Sequence, residues 1–394
     1  MDKPPLYVSL PRGMNFGWGV CGIYLTLHFA QSADVTYITA PFTPEEIGDR
    51  EQYELLSRLW VPMERLNRSG RDSTAEVLLD HPIVQAIEGK SLKPLYLQAK
   101  SPRTVGYTFF ESPFLKPDNV ERAKEYYDLI VAGSTWCRDI LMEHGIRNTD
   151  VVIQGVDTDL FHPVEVERTE LKDLFMVFSG GKLELRKGQD LVIRAYKVLQ
   201  DRHHDVVLVN AWYNSWDEST MTLRFSPYIR FDMPAGDYVR AIETLVYENG
   251  IDPRRVVTIT PRPHARMAEI YHTTDCGLFP NRCEGGTNLV LMEYMACGKP
   301  AIASFSSGHR DVITDYNAVP VRSLRPFALK DQKGSILEKW DDPDLEEIIE
   351  KLEWAYQNRD ALRDIGRQAA SDMAQNTWDR AARSFLQLTF PSKF

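Results

Sequence analysis

Short apolar runs alternate with helical patterns along most of the chain, an alternation that predicts βαβ units and parallel sheets. LYVSL (6–10) reads as a first strand, and VTYIT (35–39) as a second. Between them GWGVCGIYLTLHFAQS carries Gly17, Gly19 and Gly22 ahead of a helical run. DLIVAGS (128–134) is a buried strand; Ser134 or Thr135 caps the helix that follows, Gly145 ends it, and DVVIQG (150–155) is a further strand. Residues 44–100 give no clean period and read as helical or irregular.

Periodicity is then lost in VDTDLFHPVEVERTELKD, which gains proline and charge, and a second series begins. It runs through strand 175–179, helix 188–200, strand 205–211, helix 237–249, strand 255–260, helix 265–272, strand 276–279, helix 287–297 and strand 300–304. Two consecutive series predict an α/β chain of two Rossmann-like, doubly wound domains facing across a cleft, since ligands of such sheets bind outside the carboxyl ends of the strands. The boundary is placed at 163/164, giving domains 1–163 and 164–375, with a last amphipathic helix at about 376–394 free to pack back on the first. A length of 394 residues agrees with two cores rather than one. The stretch 212–236, rich in Trp, Tyr and Phe without a period, is either an aromatic arm that meets an acceptor or partner, or a loop packed on its own domain.

Charge and cysteine content narrow the classes. A formal net charge of −10 argues against a nucleic-acid partner, while leaving room for a local basic cleft. Five cysteines, an odd number with no CxxC, fit small core hydrophobes in a reducing compartment. No basic segment leads into an apolar one at the N-terminus, and no run of 18 apolar residues occurs, so a cytoplasmic protein with at most peripheral contact at the inner face of a membrane is expected. Asn67-Arg68-Ser69 matches a glycosylation sequon and is discounted on the same ground.

Two stretches carry chemistry. SGGKLELRKGQDLVIRAY (179–196) follows a strand and opens a helix: Gly180 and Gly181 let backbone approach a ligand, and Lys182 and Lys187, five apart, can face one cleft. The pattern fits two point charges on a diphosphate, or a solvated basic loop. NRCEGGTNLVLMEYMACGKP (281–300) places Glu284 on a glycine turn and Glu293 inside an apolar helix, with Gly285 and Gly286 allowing unusual φ and close approach, and with the first helical amides forming an anion site. A carboxylate such as Glu293 suits a ribose diol; a capping Glu284 and a salt-bridged Glu293 are the alternative.

In combination, GGKLELRKG and PNRCEGGTNLVLMEYMACGKPAIAS resemble the retaining GT-B glycosyltransferases of family four, with a basic residue, a KG five residues later and two glutamates around a glycine-rich helix start. NFGWGVCGIYLTLHFAQSADVTYIT, VGYTFFESPFLKP, VVIQGVDTDLFHP and SSGHRDVITDYNAVPV, with Asp311, extend the likeness over most of the chain except 44–100 and 212–236. The resemblance implies an acceptor-side first domain and a nucleotide-sugar-binding second one. It implies that Lys182 and Lys187 hold the donor diphosphate, Glu293 the ribose and Glu284 the transferred sugar. Gly181, Arg262, Gly285, Gly286, Thr287, Asn288 and Leu289 would complete the donor side; Gly17 and Gly19 would line the other wall. Glu111 matches a polar position near the reaction centre, or caps a buried strand end. One departure stands out: Glu284 and Glu293 enclose eight residues, where the family pair encloses seven.

The resemblance therefore implies transfer of a sugar from a nucleoside-diphosphate donor to a glycan, lipid-linked or small-molecule acceptor, with retention and with neither cofactor nor metal. A related synthase or phosphorylase, or a non-catalytic nucleotide-sugar sensor or scaffold, are the alternatives. Asp157-Thr158-Asp159 spells a metal-binding DxD but falls in a domain-ending turn, and Asp342-Pro343-Asp344 reads as a helix start with proline in the first turn.

Overall fold

A computed structural model describes residues 3–66, 76–166, 168, 171–232, 237–331 and 333–393. The sequon at Asn67 and the last four residues of the aromatic stretch, 233–236, lie outside the described residues. The chain forms two compact units: Met1–Gly155 with Gly285–Leu289 and Asn376–Phe394, and Val156–Glu284 with Val290–Gln375. The first division thus falls at 155/156, eight residues before the predicted 163/164, because the turn capped by Asp157 already packs with the second unit.

Among the described residues, the first unit has a seven-stranded parallel sheet. In spatial order its strands are Trp60–Val61, Asp34–Ile38, Pro5–Ser9, Ile83–Ala86, Thr104–Thr108, Leu129–Ala132 and Thr149–Val151. Ile83–Ala86, central in that sheet, is a strand within 44–100, which reads as helical or irregular from the sequence, and Thr104–Thr108 is the strand whose buried end is one reading of Glu111; Gln85 and Gly106 interrupt their apolar pattern. The Gly17–Ser32 helix covers the sheet together with the Trp378–Thr389 helix, where Tyr24 stacks on Trp378 at 5.4 Å and Phe29 meets Phe385 edge-on at 5.9 Å.

The second unit has a six-stranded parallel sheet. Its strands, in spatial order, are Val256–Thr258, Val206–Trp212, Phe175–Gly181, Cys276–Phe279, Ala301–Ser304 and Val319–Val321. Numbered along the chain this is 3-2-1-4-5-6, the Rossmann order, whose direction of winding reverses between the first and fourth strands. The loops that leave those two strands are 182–188 and 280–288, the two chemistry-bearing stretches.

The helices differ in detail from their sequence outlines. A 3₁₀ turn, Leu185–Lys187, and a left-handed Gly188 (φ 73°) precede the Gln189–Arg202 helix, which starts one residue later than expected, with Lys187 on the turn where the sequence places it. The Leu289–Ala296 helix starts two residues later than expected, because Asn288 is left-handed at φ 63°. An antiparallel hairpin, Leu324–Lys330 with Ile336–Pro343, follows the sheet, and Pro343 closes its second strand instead of opening a helix; Asp344 caps the Leu345–Gln357 helix by accepting from the Glu347 amide. The aromatic stretch packs on its own unit, with Trp212 and Leu223 in the core and Tyr228, Ile229 and Phe231 against it.

A fully buried arginine joins these pieces. Arg282 Nη1 donates to Leu185 O (2.6 Å) and to Asp190 Oδ1 (2.8 Å), Nη2 to Asp190 Oδ2 (2.9 Å), and Nε to Asp342 Oδ1 (2.6 Å). Ser226 and Tyr228 donate their hydroxyls to the same two carboxylates, at 2.6 and 3.1 Å. Both Arg282 and Asp190 have side chains at 0 % exposure, so each charge is tolerable only while its partner is present. Arg282→Ala strands Asp190 and is expected to cost about 3–5 kcal/mol of unfolding free energy, read by urea titration; a loss below about 1 kcal/mol would show that the triad does not hold this unit together.

Candidate donor site

The site assembles at the switch point of the second unit's sheet. Glu284, 4 % exposed, follows the Cys276–Phe279 strand, and its main chain is held at both ends: the amide donates to Ser307 Oγ (2.7 Å), and the carbonyl accepts from Gly308 N (3.0 Å). Ser307 takes a left-handed φ of 44° to do this, a conformation that costs a non-glycine residue energy and is found at functional sites. This loop is the stretch singled out above with Asp311.

One oxygen of the Glu284 carboxylate is crowded. Oε1 receives Lys187 Nζ at 2.7 Å, the Asn281 side-chain amide, and Arg186 Nη1 at 3.3 Å. Arg186 in turn donates to Glu184 Oε1 (2.6 Å) and to Cys283 O (2.7 Å). Two carboxylates therefore face two cations in a nearly dry cluster. Burial alone would raise the Glu284 carboxyl, but the Lys187 and Arg186 charges outweigh it and bring it down to about 2. His309, wholly buried with Nδ1 3.1 Å from Ser304 O, is pushed down to about 4 by burial, so it stands neutral beside the cluster.

Glu293, also 4 % exposed, lies on the second turn of its helix, and its Oε1 is 2.7 Å from His264 Nε2. Burial lowers the His264 pKa, but the charges of Glu293 and Asp157, with the Glu293 hydrogen bond, overcome this and leave it raised. Phe161 lies 5.2 Å from the imidazole. Arg262 lies two residues before His264, and its Nε is buried with no hydrogen-bond partner among the described residues.

Among the predicted residues, Lys187 sits on Glu284, and Lys182 Nζ lies 4.1 Å from the centre of the Trp216 ring. Gly181 has a φ of 119° that favours glycine. Gly285 and Gly286 take no positive φ; they are needed for close approach, since a Cβ would fall 2.4 Å from Phe110 O and 2.6 Å from Gln154 Oε1. Gly285–Leu289 groups with the first unit, where Ser134 donates to Gly285 O at 2.6 Å; Thr287 and Asn288 are buried loop residues and Leu289 begins the helix. Gly17 and Gly19 open the first helix, and packing already explains Gly19, whose Cβ would meet Gly13 O at 2.1 Å. Glu111 lies half-buried on the loop after Thr104–Thr108. These three belong to the first unit, the Lys187–Glu284 cluster to the second.

Asp157 Oδ1 accepts from the amides of Asp159 (3.0 Å) and Leu160 (3.3 Å), a turn cap that accounts for the DxD spelling. Among the described residues no group of three or more His, Cys, Asp or Glu side chains is placed to hold a metal, all five cysteines are buried and none forms a disulfide, and no helix is long and apolar enough to cross a membrane. The sequence reading missed Glu184, Arg186, Asn281, His264 and His309. Glu184 and Arg186 stand between the two lysines and signal themselves only by being charged among buried leucines.

Two Rossmann-like units, each with a parallel sheet, and a cationic turn and two buried glutamates at the switch point of the second, define a GT-B type protein. The sequence profile of the glycosyl transferases group 1 family matches residues 164–372, more than half of the chain, and the chain belongs to that family. A D-inositol 3-phosphate glycosyltransferase from Xylanimonas cellulosilytica is 28% identical over 250 residues, 60% of this chain and 50% of the relative, so the match spans about half that protein's length. Among solved structures, sucrose-phosphate synthase from Thermosynechococcus elongatus has a TM-score of 0.66 at 17% identity, covering 98% of each chain. HepE of Anabaena, in complex with UDP and glucose, has a TM-score of 0.65 at 12% identity, covering 99% of this chain and 100% of its own. These two likenesses show the shared fold.

The depressed Glu284 pKa sets a sign for stability against pH. Its stabilising contribution is complete above the ordinary value of 4.5 and is lost as pH falls through about 2. Between those limits the wild-type protein is expected to lose roughly 3 kcal/mol more unfolding free energy than Glu284→Gln, at about 1.4 kcal/mol per pKa unit. Parallel stability curves for the two proteins over this range would show that the carboxylate is not held ionised by its neighbours.

Proposed function

We propose that this protein transfers a sugar from a nucleoside-diphosphate donor to a hydroxyl group of an acceptor, with retention at the anomeric carbon and without a metal. The observation that carries the reading is the one-sided anchoring of Glu284. Lys187, Arg186 and Asn281 all converge on Oε1. The carboxylate is thereby fixed and ionised, and its second oxygen is the one offered to a ligand hydroxyl. Glu293 is also held by a buried side chain, its Oε1 lying 2.7 Å from His264 Nε2.

In this reading Lys187 spends one N–H on Glu284 and has others for the diphosphate. Lys182, Arg262 and the amides that open the 289–296 helix supply further donors to the phosphates, and Glu293 accepts from the ribose. The bond between the anomeric carbon and the diphosphate oxygen breaks. The acceptor oxygen bonds to that carbon on the same face, and its proton passes to the departing phosphate oxygen. No side chain serves as nucleophile; the protein stabilises charge on the leaving group with pre-aimed cations and dipoles. A relative named for D-inositol 3-phosphate makes a polyol or its phosphate the first acceptor class to try.

The test is turnover and thermal shift with UDP-, GDP-, ADP- and TDP-sugars, with and without EDTA. One donor is expected to raise the melting temperature by mass action and to be hydrolysed or transferred at a rate EDTA leaves unchanged, with the product keeping its anomeric configuration. Lys187→Ala is expected to lose roughly 2–5 kcal/mol of transition-state stabilisation, thirtyfold or more in kcat/KM. Wild-type kcat/KM in that variant, or no turnover of any donor by the native protein, would refute the reading.

A further inference from the structure

The loop that leaves the carboxyl end of the Val256–Thr258 strand is a stiff piece of chain. Pro261 and Pro263 bracket Arg262 and restrict the backbone on both sides of it. Pro263 O accepts from Arg266 N at 2.9 Å, and the 3₁₀ turn His264–Arg266 runs straight into the Met267–Thr273 helix. His264 is thereby fixed between a proline and a helix. Its side chain is 13 % exposed and its Nε2 lies 2.7 Å from Glu293 Oε1, within the same unit.

Glu293 needs such a neighbour if it is to read a ligand. Its main chain is set by the Leu289–Ala296 helix, but the terminal torsion of a glutamate is broad, so the helix alone does not decide which way the carboxylate plane faces. A donor held rigidly on another element does decide it. Tyr271, in the helix that follows the His264 turn, is a second neighbour of this carboxylate: burial first, and then the Glu293 charge, raise its pKa well above the ordinary value. One short segment, 264–271, therefore frames Glu293. A carboxylate has about four lone-pair directions, which leaves capacity for ribose hydroxyls beside these partners. The same loop also carries Arg262, whose buried Nε has no hydrogen-bond partner among the described residues, an unmatched donor of the kind a ligand phosphate satisfies.

We propose that His264 is a positioning residue for Glu293: its Nε2–H, given to Oε1, sets the carboxylate plane to accept from the ribose of the donor, and the preference for ribo- over deoxyribonucleotides depends on it. The inference rests on the reading of Glu293 as the ribose acceptor of a nucleoside-diphosphate site. It extends the donor machinery to the 259–266 loop, where the sequence alone singled out only Arg262.

The experiment is calorimetry with free UDP, GDP, ADP and TDP, each in its ribo and 2′-deoxy form. The native protein is expected to bind the ribo form of its nucleotide about tenfold tighter or more, the worth of a hydrogen bond to a charged group. His264→Leu is expected to bring that preference below about twofold, by weakening the ribo form while the deoxy form binds as before. His264→Gln, whose Nε2 can stand where the imidazole Nε2 stands, keeps most of the preference. In a Glu293→Gln background, His264→Leu has no further effect. Where His264→Leu does not fold, His264→Asn, whose amide stops short of the carboxylate, takes its place in the comparison. A native preference in the Leu or Asn variant, or its equal collapse in His264→Gln, would overturn the proposal while leaving the role of Glu293 standing. A native protein that binds a diphosphate without distinguishing its two forms would overturn the proposal together with the ribose reading of Glu293, and one that binds none of them would remove the nucleotide site itself.

Discussion

The desolvated guanidinium of Arg282 is the interaction on which the second unit's working parts depend. A buried arginine is costly unless every charge around it is matched. Here the matching partners are Asp190 at the start of one helix, Asp342 at the end of the hairpin, and the carbonyl of Leu185 in the middle of the cationic turn. The main chain of Arg282 adds to this: its amide donates to Arg186 O at 2.7 Å and its carbonyl accepts from Asp341 N at 3.2 Å. Glu284 is two residues further along the same loop. The turn that bears Lys187 and the loop that bears Glu284 are therefore not two flexible segments that happen to meet. They are cross-linked through one side chain, and the 2.7 Å ion pair between them is a consequence.

That rigidity has a chemical use. A carboxylate in a dry site normally takes a proton; the Lys187 and Arg186 charges prevent it here, and they do so at one oxygen only. The other oxygen takes none of these contacts, and the proposed reading assigns it to a hydroxyl of the sugar. Glu293 has His264 as a neighbour in a second buried pair, where burial lowers the imidazole pKa but the Glu293 charge and hydrogen bond outweigh it and leave it raised.

How much of this was legible depended on whether the signal was local. Buried parallel strands are continuous apolar runs, so FMVF, VVLVN, CGLF and AIAS announced the second sheet, and the loops leaving two of them contained Lys187 and Glu284. Ile83–Ala86 is only four residues long and contains Gln85, and Thr104–Thr108 contains Gly106. Neither looks like a core strand until its neighbours are in place. The 324–343 hairpin is largely exposed and charged, and its Pro343 imitated a helix start. The pairings were beyond reach for a different reason. Arg186 meets Cys283 and Lys187 meets Glu284 across 97 residues, and His264 meets Glu293 across 29, so only the sheet order brings them together.

Two buried glutamates held by different partners are read here as doing different work, Glu293 on the nucleoside and Glu284 on the sugar. Calorimetry with the free nucleoside diphosphate, set beside kinetics with the whole donor, tests this most directly. Glu293→Gln should weaken the free nucleotide and the donor alike, by about 1.5–3 kcal/mol, the worth of a hydrogen bond to a charged group. Glu284→Gln should bind the free nucleotide as the native protein does and still lose turnover, because its contact strengthens as the sugar becomes cationic. Equal loss of free-nucleotide affinity in the two variants would contradict the account.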